Sequence, residues 1–415
     1  MKGIQVYGAA RYMTLTGEHP MMHWGLLPGP RNWVPLVIGT LSLLCFPFWL
    51  AGLPLMLGKT INWIVGADDP QLLLQHARLW GSACIVIAVV LTWFQTYGVL
   101  EKVQTFIVGL LLVSILAALF ASRPDWINAL VGTVVPTVPD YPKWMHESMD
   151  AGIKKIVQRP SWVEIGVYLG AIGGGTYDYI GYIGCYREKA WGAIGRACKG
   201  VSSVGTLPID TSEQNILRGR RWLRPAAIDV GVGFLCVLIF TICFVMLGAQ
   251  ILHPARLVPK GQDLLTHQAN FLTQFHPALA YFYQLGIFAA FWGTIYGAYE
   301  LYTRTTYECL RPLSVKLRDV SMRKVRLGVL LYCGGGGLLL LWIAQDPVSL
   351  VTPAAIVGGV FTCGLWCFAM VWTDRHFLPP PLRMRSGLLA LTVVTGLVLT
   401  CLGIKGMWGY VANLL

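Results

Sequence analysis

Three consecutive glycines, Gly173, Gly174 and Gly175, followed by Thr176, Tyr177 and Asp178, stand inside an apolar segment, 162–185, long enough to cross a membrane. Each glycine costs a helix interior about 1 kcal/mol relative to alanine, and an ionised carboxylate is expensive at membrane depth. Opened backbone persists there only where it is buried in protein or lines a wet cavity. Such a break bares carbonyl oxygens around Gly173 to Gly175. With the Asp178 carboxylate and the Thr176 hydroxyl they make an all-oxygen cation site, shaped by Tyr177. The competing reading is that the glycines permit close helix packing and Asp178 pairs with a neighbouring group.

The other acids inside apolar segments are Glu164, Asp229 and Glu300. Glu300 is expected to pair with Arg304 one turn on. Glu164 and Asp229 lie near segment ends, and Asp229 is placed to cap a helix start. His253, His267 and His276 have loop spacing that matches no ligand motif and read as surface histidines; Cys363 and Cys367, four apart, read as packing residues. The chain holds no P-loop, GxSxG or HExxH, so it is not read as an enzyme and no cofactor is implied. An intramembrane hydrolase would require paired acids or a Ser–His pair at one depth.

The elements that position these groups follow from composition. Hydrophobic residues make up 55% and charged residues 13%, against about 25% charge in soluble domains; mean hydropathy is +0.59. These values describe a polytopic, all-α membrane protein. Nine spans are predicted near 33–57, 80–99, 103–121, 162–185, 226–251, 277–303, 327–344, 348–372 and 387–412. The net charge of +12 comes from basic residues clustered between spans, which is the positive-inside pattern and not a nucleic-acid-binding face. Lys2, Arg11, Arg31, Lys102, eight residues between Arg187 and Arg224, seven between Arg304 and Arg326, and Arg375, Arg383 and Arg385 fall on one side, 22 of the 32 basic residues. That side is assigned as cytoplasmic, with the N-terminus inside, the C-terminus outside, and a bacterial inner membrane as the expected location. The loop 186–225 ends in Arg218, Arg220, Arg221 and Arg224 and reads as a lipid-facing anchor. Two long outer loops are expected, 122–161 with Pro124, Pro136, Pro139, Pro142 and Pro160, and 252–276. No feature of the sequence sets an oligomeric state.

Several stretches carry a family resemblance. Gln5-Val6-Tyr7-Gly8-Ala9-Ala10-Arg11-Tyr12-Met13-Thr14-Leu15-Thr16-Gly17 is similar to the tail of the second helix of the Nramp (natural resistance-associated macrophage protein) metal-ion transporters. Tyr97-Gly98-Val99-Leu100-Glu101-Lys102-Val103 is similar to the turn between that family's fourth and fifth helices, and Ala227-Ile228-Asp229 to the start of its seventh. The glycine break stands in the place of its sixth helix. The resemblance implies a LeuT-like fold of two inverted repeats with a divalent cation between two broken helices. It divides one transmembrane domain, 1–415, into an incomplete first repeat (1–121), a second repeat (162–372) and an extra C-terminal helix (387–412).

The departures from the family sharpen that expectation. Its first helix, with the Asp-Pro-Gly-Asn that binds metal, and most of its second have no counterpart; Asp69-Pro70 and Asp346-Pro347 lie in outer loops. Gly174, Gly175 and Thr176 stand where transition-metal members carry Met-Pro-His. Span 33–57 has no acid, and Val351 stands where a glutamine is usual. Together these resemble the magnesium-transporting branch, in keeping with the preference of magnesium for oxygen ligands and retained water. The implied function is transport of a divalent cation (Mg2+ or Mn2+-like) by alternating access, with metal contacts from Asp178, Thr176, Tyr177 and the Gly173–Gly175 backbone. Two alternatives stay open: an amino-acid or organic-cation symporter of the same architecture, and an inactive truncated relic.

Overall fold

Helix follows helix in the computed structural model, which describes residues 1–415 apart from 67–68, 70, 95–96, 135–139, 159, 198–208, 259–262 and 413–415. No strand occurs among the described residues. Eleven helices carry the argument. They are α1 (Lys2–Thr16), α2 (Trp33–Val65), α3 (Leu73–Trp93), α4 (Tyr97–Ala121), α5 (Ser161–Ala171), α6 (Thr176–Gly184), α7 (Glu213–Leu247), α8 (Leu279–Leu310), α9 (Met322–Ile343), α10 (Pro347–Phe377) and α11 (Ser386–Ala412).

Among the described residues six helices are both long and apolar enough to cross a membrane: α2, α3, α7 with its continuation to Leu252, α9, α10 and α11. The residues 105–121 of α4 and a helix after them, Trp126–Gly132, are bent by 113° and pass that test only as a pair. With this much apolar helix the chain is an integral membrane protein. α8 has the length, but Gln284, Glu300, Arg304 and Glu308 make it more polar. Pro70, Pro136, Pro139 and the side chains of Tyr97–Glu101 and Val103 lie outside the described residues.

Two expectations change. Residues 2–16, read as part of a cytoplasmic segment, form the buried helix α1, which packs against α7, α10 and α11. Its Lys2 and Arg11 are therefore core charges and not loop charges. The likeness of 5–17 to a helix tail marked the helix but not its burial; Gly17, with φ 77°, ends it. The arginines of 218–224 belong to the first three turns of α7, which begins at Glu213 and not near 226. Asp346 lies in the connection before α10, where its carboxylate accepts from Ser349 N (2.8 Å) and caps the start of that helix.

α10 is not uniform. Residues Val357–Phe361 form a π-turn between two α-helical halves. π-turns are rare and concentrate at functional sites. α2 runs through the bundle against α3, α8, α9 and α10, and α6 packs on α8. These contacts bring two irregular stretches, the α5–α6 break and the α10 π-turn, against each other.

Candidate functional site

The chain opens where the glycines predicted. α5 ends at Ala171, α6 begins at Thr176, and Gly173 and Gly174 take φ of 73° and 88°, in the left-handed region that side chains disfavour. The first turn of α6 is closed by Asp178, whose Oδ2 accepts from Gly175 N at 2.7 Å. Asp178 therefore has a structural duty as the acid at a helix N-terminus, where the dipole favours a negative charge. Both sequence readings of this residue meet here, since the carboxylate pairs with a neighbour and stays at the break.

The carbonyls at the break hold a cation that belongs to the protein. Lys2 Nζ donates to Gly174 O (2.6 Å), Ile172 O (2.9 Å) and Gly170 O (3.2 Å). Lys2 is only 9% exposed. Asp178 and Cys363 both lie within electrostatic reach of its ammonium. The end of α5 supplies the partial negative charge of its terminal carbonyls, which favours a cation. The ammonium uses one of the three glycine carbonyls, that of Gly174; the carbonyl of Gly175 instead accepts from Tyr179 N (3.1 Å) within α6.

The α10 π-turn forms the facing wall. A Cβ on Gly358 would stand 2.0 Å from Tyr177 Cε1, so only glycine fits this approach. Beside it, Thr362 Oγ1 lies 2.8 Å from Thr176 Oγ1 and 3.0 Å from Gly358 O, and Thr176 Oγ1 lies 3.4 Å from Cys363 Sγ. Cys363, read as a packing residue, thus places a soft sulfur beside an otherwise oxygen-lined break. Val351 packs away from it against Gly52 of α2. Thr362, Cys363 and the π-turn were not singled out in the sequence. The paired glycines Gly358-Gly359 inside an apolar span were the signal, by the logic that exposed Gly173–Gly175.

Tyr177 is packed among aromatic rings. It meets Phe46 (5.9 Å, 86°) and Tyr302 (5.8 Å, 82°) edge to face. Its hydroxyl accepts from Trp49 Nε1 and its carbonyl from the Thr305 hydroxyl. These contacts fasten the start of α6 to α2 and α8. Phe46 and Thr305 also line a cavity of about 220 Å³ between α2 and α8, which reaches toward Tyr177 from the end of the bundle that carries the basic loops.

The remaining candidates sort differently from expectation. Glu300 pairs with Arg326 (3.3 Å), while Arg304 pairs with Glu188 (2.5 Å). Helix packing brings α9 closer to Glu300 than its own next turn. Asp229 does not cap a helix: it accepts from Lys189 Nζ (2.7 Å), Tyr186 OH (2.9 Å) and Tyr182 OH, and so binds α7 to the end of α6. Glu164 stands in the first turn of α5. Among the described residues no three His, Cys, Asp or Glu side chains cluster as a metal site, His253, His267 and His276 included.

At the basic end, Arg187 donates twice to Glu308, through Nε (2.6 Å) and Nη2 (3.0 Å). Burial raises the Glu308 carboxyl, but Arg187, with His19 and Arg311, outweighs it and holds the group down at about 2. His19 is fully buried; its Nδ1 accepts from Met21 N (3.1 Å) and its Nε2 lies 3.3 Å from Ile180 O. Burial pushes this imidazole down to about 4, against the opposing pull of Glu308. The cluster locks α6 to α8 at one end of the bundle.

The comparisons with known proteins bear on this arrangement. A model of the family described as natural resistance-associated macrophage protein-like matches residues 43–149. The Nramp likeness is borne out. The matched stretch runs from α2 through α4 into the following segment and includes the Tyr97–Val103 motif. Among solved structures, the manganese transporter of Eremococcus coleocola, determined in complex with an aromatic bis-isothiourea substituted compound, has a TM-score of 0.62 at 11% identity, covering 98% of this chain and 78% of that one. The chain therefore shares the fold of that manganese transporter, and the all-α, LeuT-like architecture expected from the sequence is borne out. No curated protein matches it. The break and the α10 π-turn lie beyond the matched Nramp stretch, so their correspondence rests on the fold alone.

Proposed function

We propose that the chain carries a divalent metal cation across the membrane, with the ion held at the α5–α6 break. One observation carries the reading: carbonyls of Gly170, Ile172 and Gly174 already converge on a positive charge, beside the Asp178 carboxylate. An ion bound there would use these oxygens together with the Thr176 hydroxyl, while Tyr177 acts by positioning the start of α6. The Nramp stretch and the likeness to a manganese transporter support the same substrate class. In this reading the membrane is a bacterial inner membrane and the basic end faces the cytoplasm, as the charge bias implies.

The choice of ion follows from the donors. The break is rich in oxygen, which suits Mg2+ and Mn2+. Cys363 Sγ, 3.4 Å from Thr176 Oγ1, is the soft atom at this wall that would admit softer ions. A substrate carboxylate, as an amino-acid symporter would require, meets Asp178 already seated on Gly175 N.

The test is uptake of Mn2+ and Mg2+ into proteoliposomes by the wild type, Asp178→Asn and Thr176→Ala. Both variants should lose most of the flux; unchanged uptake by the two would sink the reading. Lys2 favours a second reading, in which its ammonium plugs the site and no ion passes. Wild type that neither binds nor transports divalent ions, beside a Lys2→Met variant that binds them, would establish that instead.

A further inference from the structure

Away from the break, a groove of about 860 Å³ lies where α7 enters its apolar stretch, and its wall carries Arg220, Arg221 and Arg224. All three are exposed. Arg220 Nη2 donates to Pro381 O (3.1 Å), which steadies one guanidinium at the rim. Among the described residues the one acid in the lining, Asp229, is already engaged by Lys189, Tyr182 and Tyr186, so it offers little opposition to an anion.

The rest of the groove is apolar: Leu217, Pro225, Ile228 and the ring of Trp191, over which Lys189 Nζ sits 4.6 Å from the centroid. Beyond Pro225 the helix is strongly apolar and little covered by protein, with 17% of its most apolar window buried. The groove therefore straddles the level where hydrocarbon gives way to headgroups. Arginine forks match phosphate oxygens, and indole rings favour that depth.

We propose that this groove binds an acidic phospholipid, its phosphodiester on Arg220, Arg221 and Arg224 and its acyl chains along Ile228 and the apolar face of α7. Charge complementarity sets the headgroup, and the apolar floor continuous with the lipid-facing helix favours a lipid over a free phosphate. Because Asp229 ties this part of α7 to Tyr182 and Tyr186, a seated lipid braces the end of the broken span. The proposal stands independently of the transported substrate.

The test is thermal unfolding of the purified full chain in a neutral detergent with added phosphatidylglycerol, phosphatidylcholine or inorganic phosphate. Phosphatidylglycerol alone should raise the wild-type Tm. In the Arg220→Gln/Arg221→Gln/Arg224→Gln variant its half-saturating concentration should rise about 100-fold, since each basic residue near an anionic surface contributes about a fivefold gain. Equal stabilisation of variant and wild type, or none of the wild type, overturns the proposal. Stabilisation by inorganic phosphate as strong as by the lipid assigns the groove to a free anion and overturns the lipid reading too. Should the triple variant fail to fold, Arg224→Gln alone, read by native mass spectrometry, should retain severalfold less phosphatidylglycerol from an equimolar mixture with phosphatidylcholine; unchanged retention overturns the proposal.

Discussion

Lys2 Nζ lies 2.6 Å from the carbonyl oxygen of Gly174, so a residue near one end of the chain supplies the charge that occupies a break 172 positions away. The contact joins two features that explain each other. Opened backbone needs partners at membrane depth, and a buried ammonium needs acceptors. Gly170, Ile172 and Gly174 serve both needs at once.

Removing that ammonium should expose the ion-binding capacity of the break. Lys2→Met deletes three charge-assisted hydrogen bonds, which contribute about 1.5–3 kcal/mol each and not additively. The variant should melt below the wild type by an amount on the order of 2 kcal/mol. Added Mn2+ or Mg2+ should then restore the loss, because a ligand at 100 times its Kd stabilises by about 2.7 kcal/mol. Differential scanning calorimetry with and without each ion checks this; a lowered Tm that no divalent ion restores would show that the carbonyls serve Lys2 alone.

The glycines of the break should be far less replaceable than other glycines of the same span. Gly174→Ala forces a Cβ into a backbone with φ 88° and to 2.9 Å from Asp178 Oδ2. The left-handed conformation alone costs about 1–2 kcal/mol, and the clash displaces the carboxylate. Gly166→Ala places its Cβ at an ordinary 3.8 Å from its nearest neighbour and should be close to neutral. Unfolding midpoints of the two variants compare them directly.

Stability should rise with pH across a window set by His19. Its folded pKa, about 4, lies below the ordinary 6.5 because burial disfavours the charged form. Between those values the unfolded chain binds more protons, so stability is complete above pH 6.5 and is lost as pH falls through 4. The full shift corresponds to about 3 kcal/mol. Glu308, held at about 2, adds a loss of the same sign below pH 4.5. His19→Asn keeps an acceptor for Met21 N and should flatten the profile between pH 6.5 and 4 while leaving the lower limb. Tm measured against pH for both proteins reads the difference.

How far the sequence revealed this arrangement depends on the range of the forces involved. The break at Gly173–Gly175 was legible because three glycines and a carboxylate defy the local rules of an apolar helix. The apolar helices were legible because length and hydropathy are local quantities. Lys2 was not: the likeness that marked 5–17 as a helix tail says nothing of its burial, and the acceptors of Lys2 lie some 170 residues away. Glu300 shows the same limit, since the choice between Arg304 and Arg326 is made by the packing of α9 on α8. The π-turn at Val357–Phe361 carries a local mark in Gly358-Gly359, but the close approach of Gly358 to Tyr177 is a long-range pairing that no local pattern contains.

The Arg187–Glu308 pair should behave as a buried pair does, costly to split and cheaper to replace whole. Glu308 is 1% exposed and Arg187 22%, and two donor nitrogens of Arg187 reach the carboxylate, with Arg311 Nη1 3.6 Å from it. Glu308→Gln leaves guanidinium charge with half its partner gone, which should cost about 3–5 kcal/mol. Arg187→Met with Glu308→Leu removes both charges and should cost less than either single change. Arg187 directly follows the broken span and Glu308 ends α8, so the pair fixes α6 at the basic end while Tyr177 fixes its other end through Trp49 and Thr305. Any movement of α6 relative to α8 must part these groups. Cysteines introduced at the two positions and crosslinked should therefore abolish ion flux while leaving the melting temperature at or above that of the reduced protein; flux that survives crosslinking would mean that this end of the bundle stays closed throughout transport.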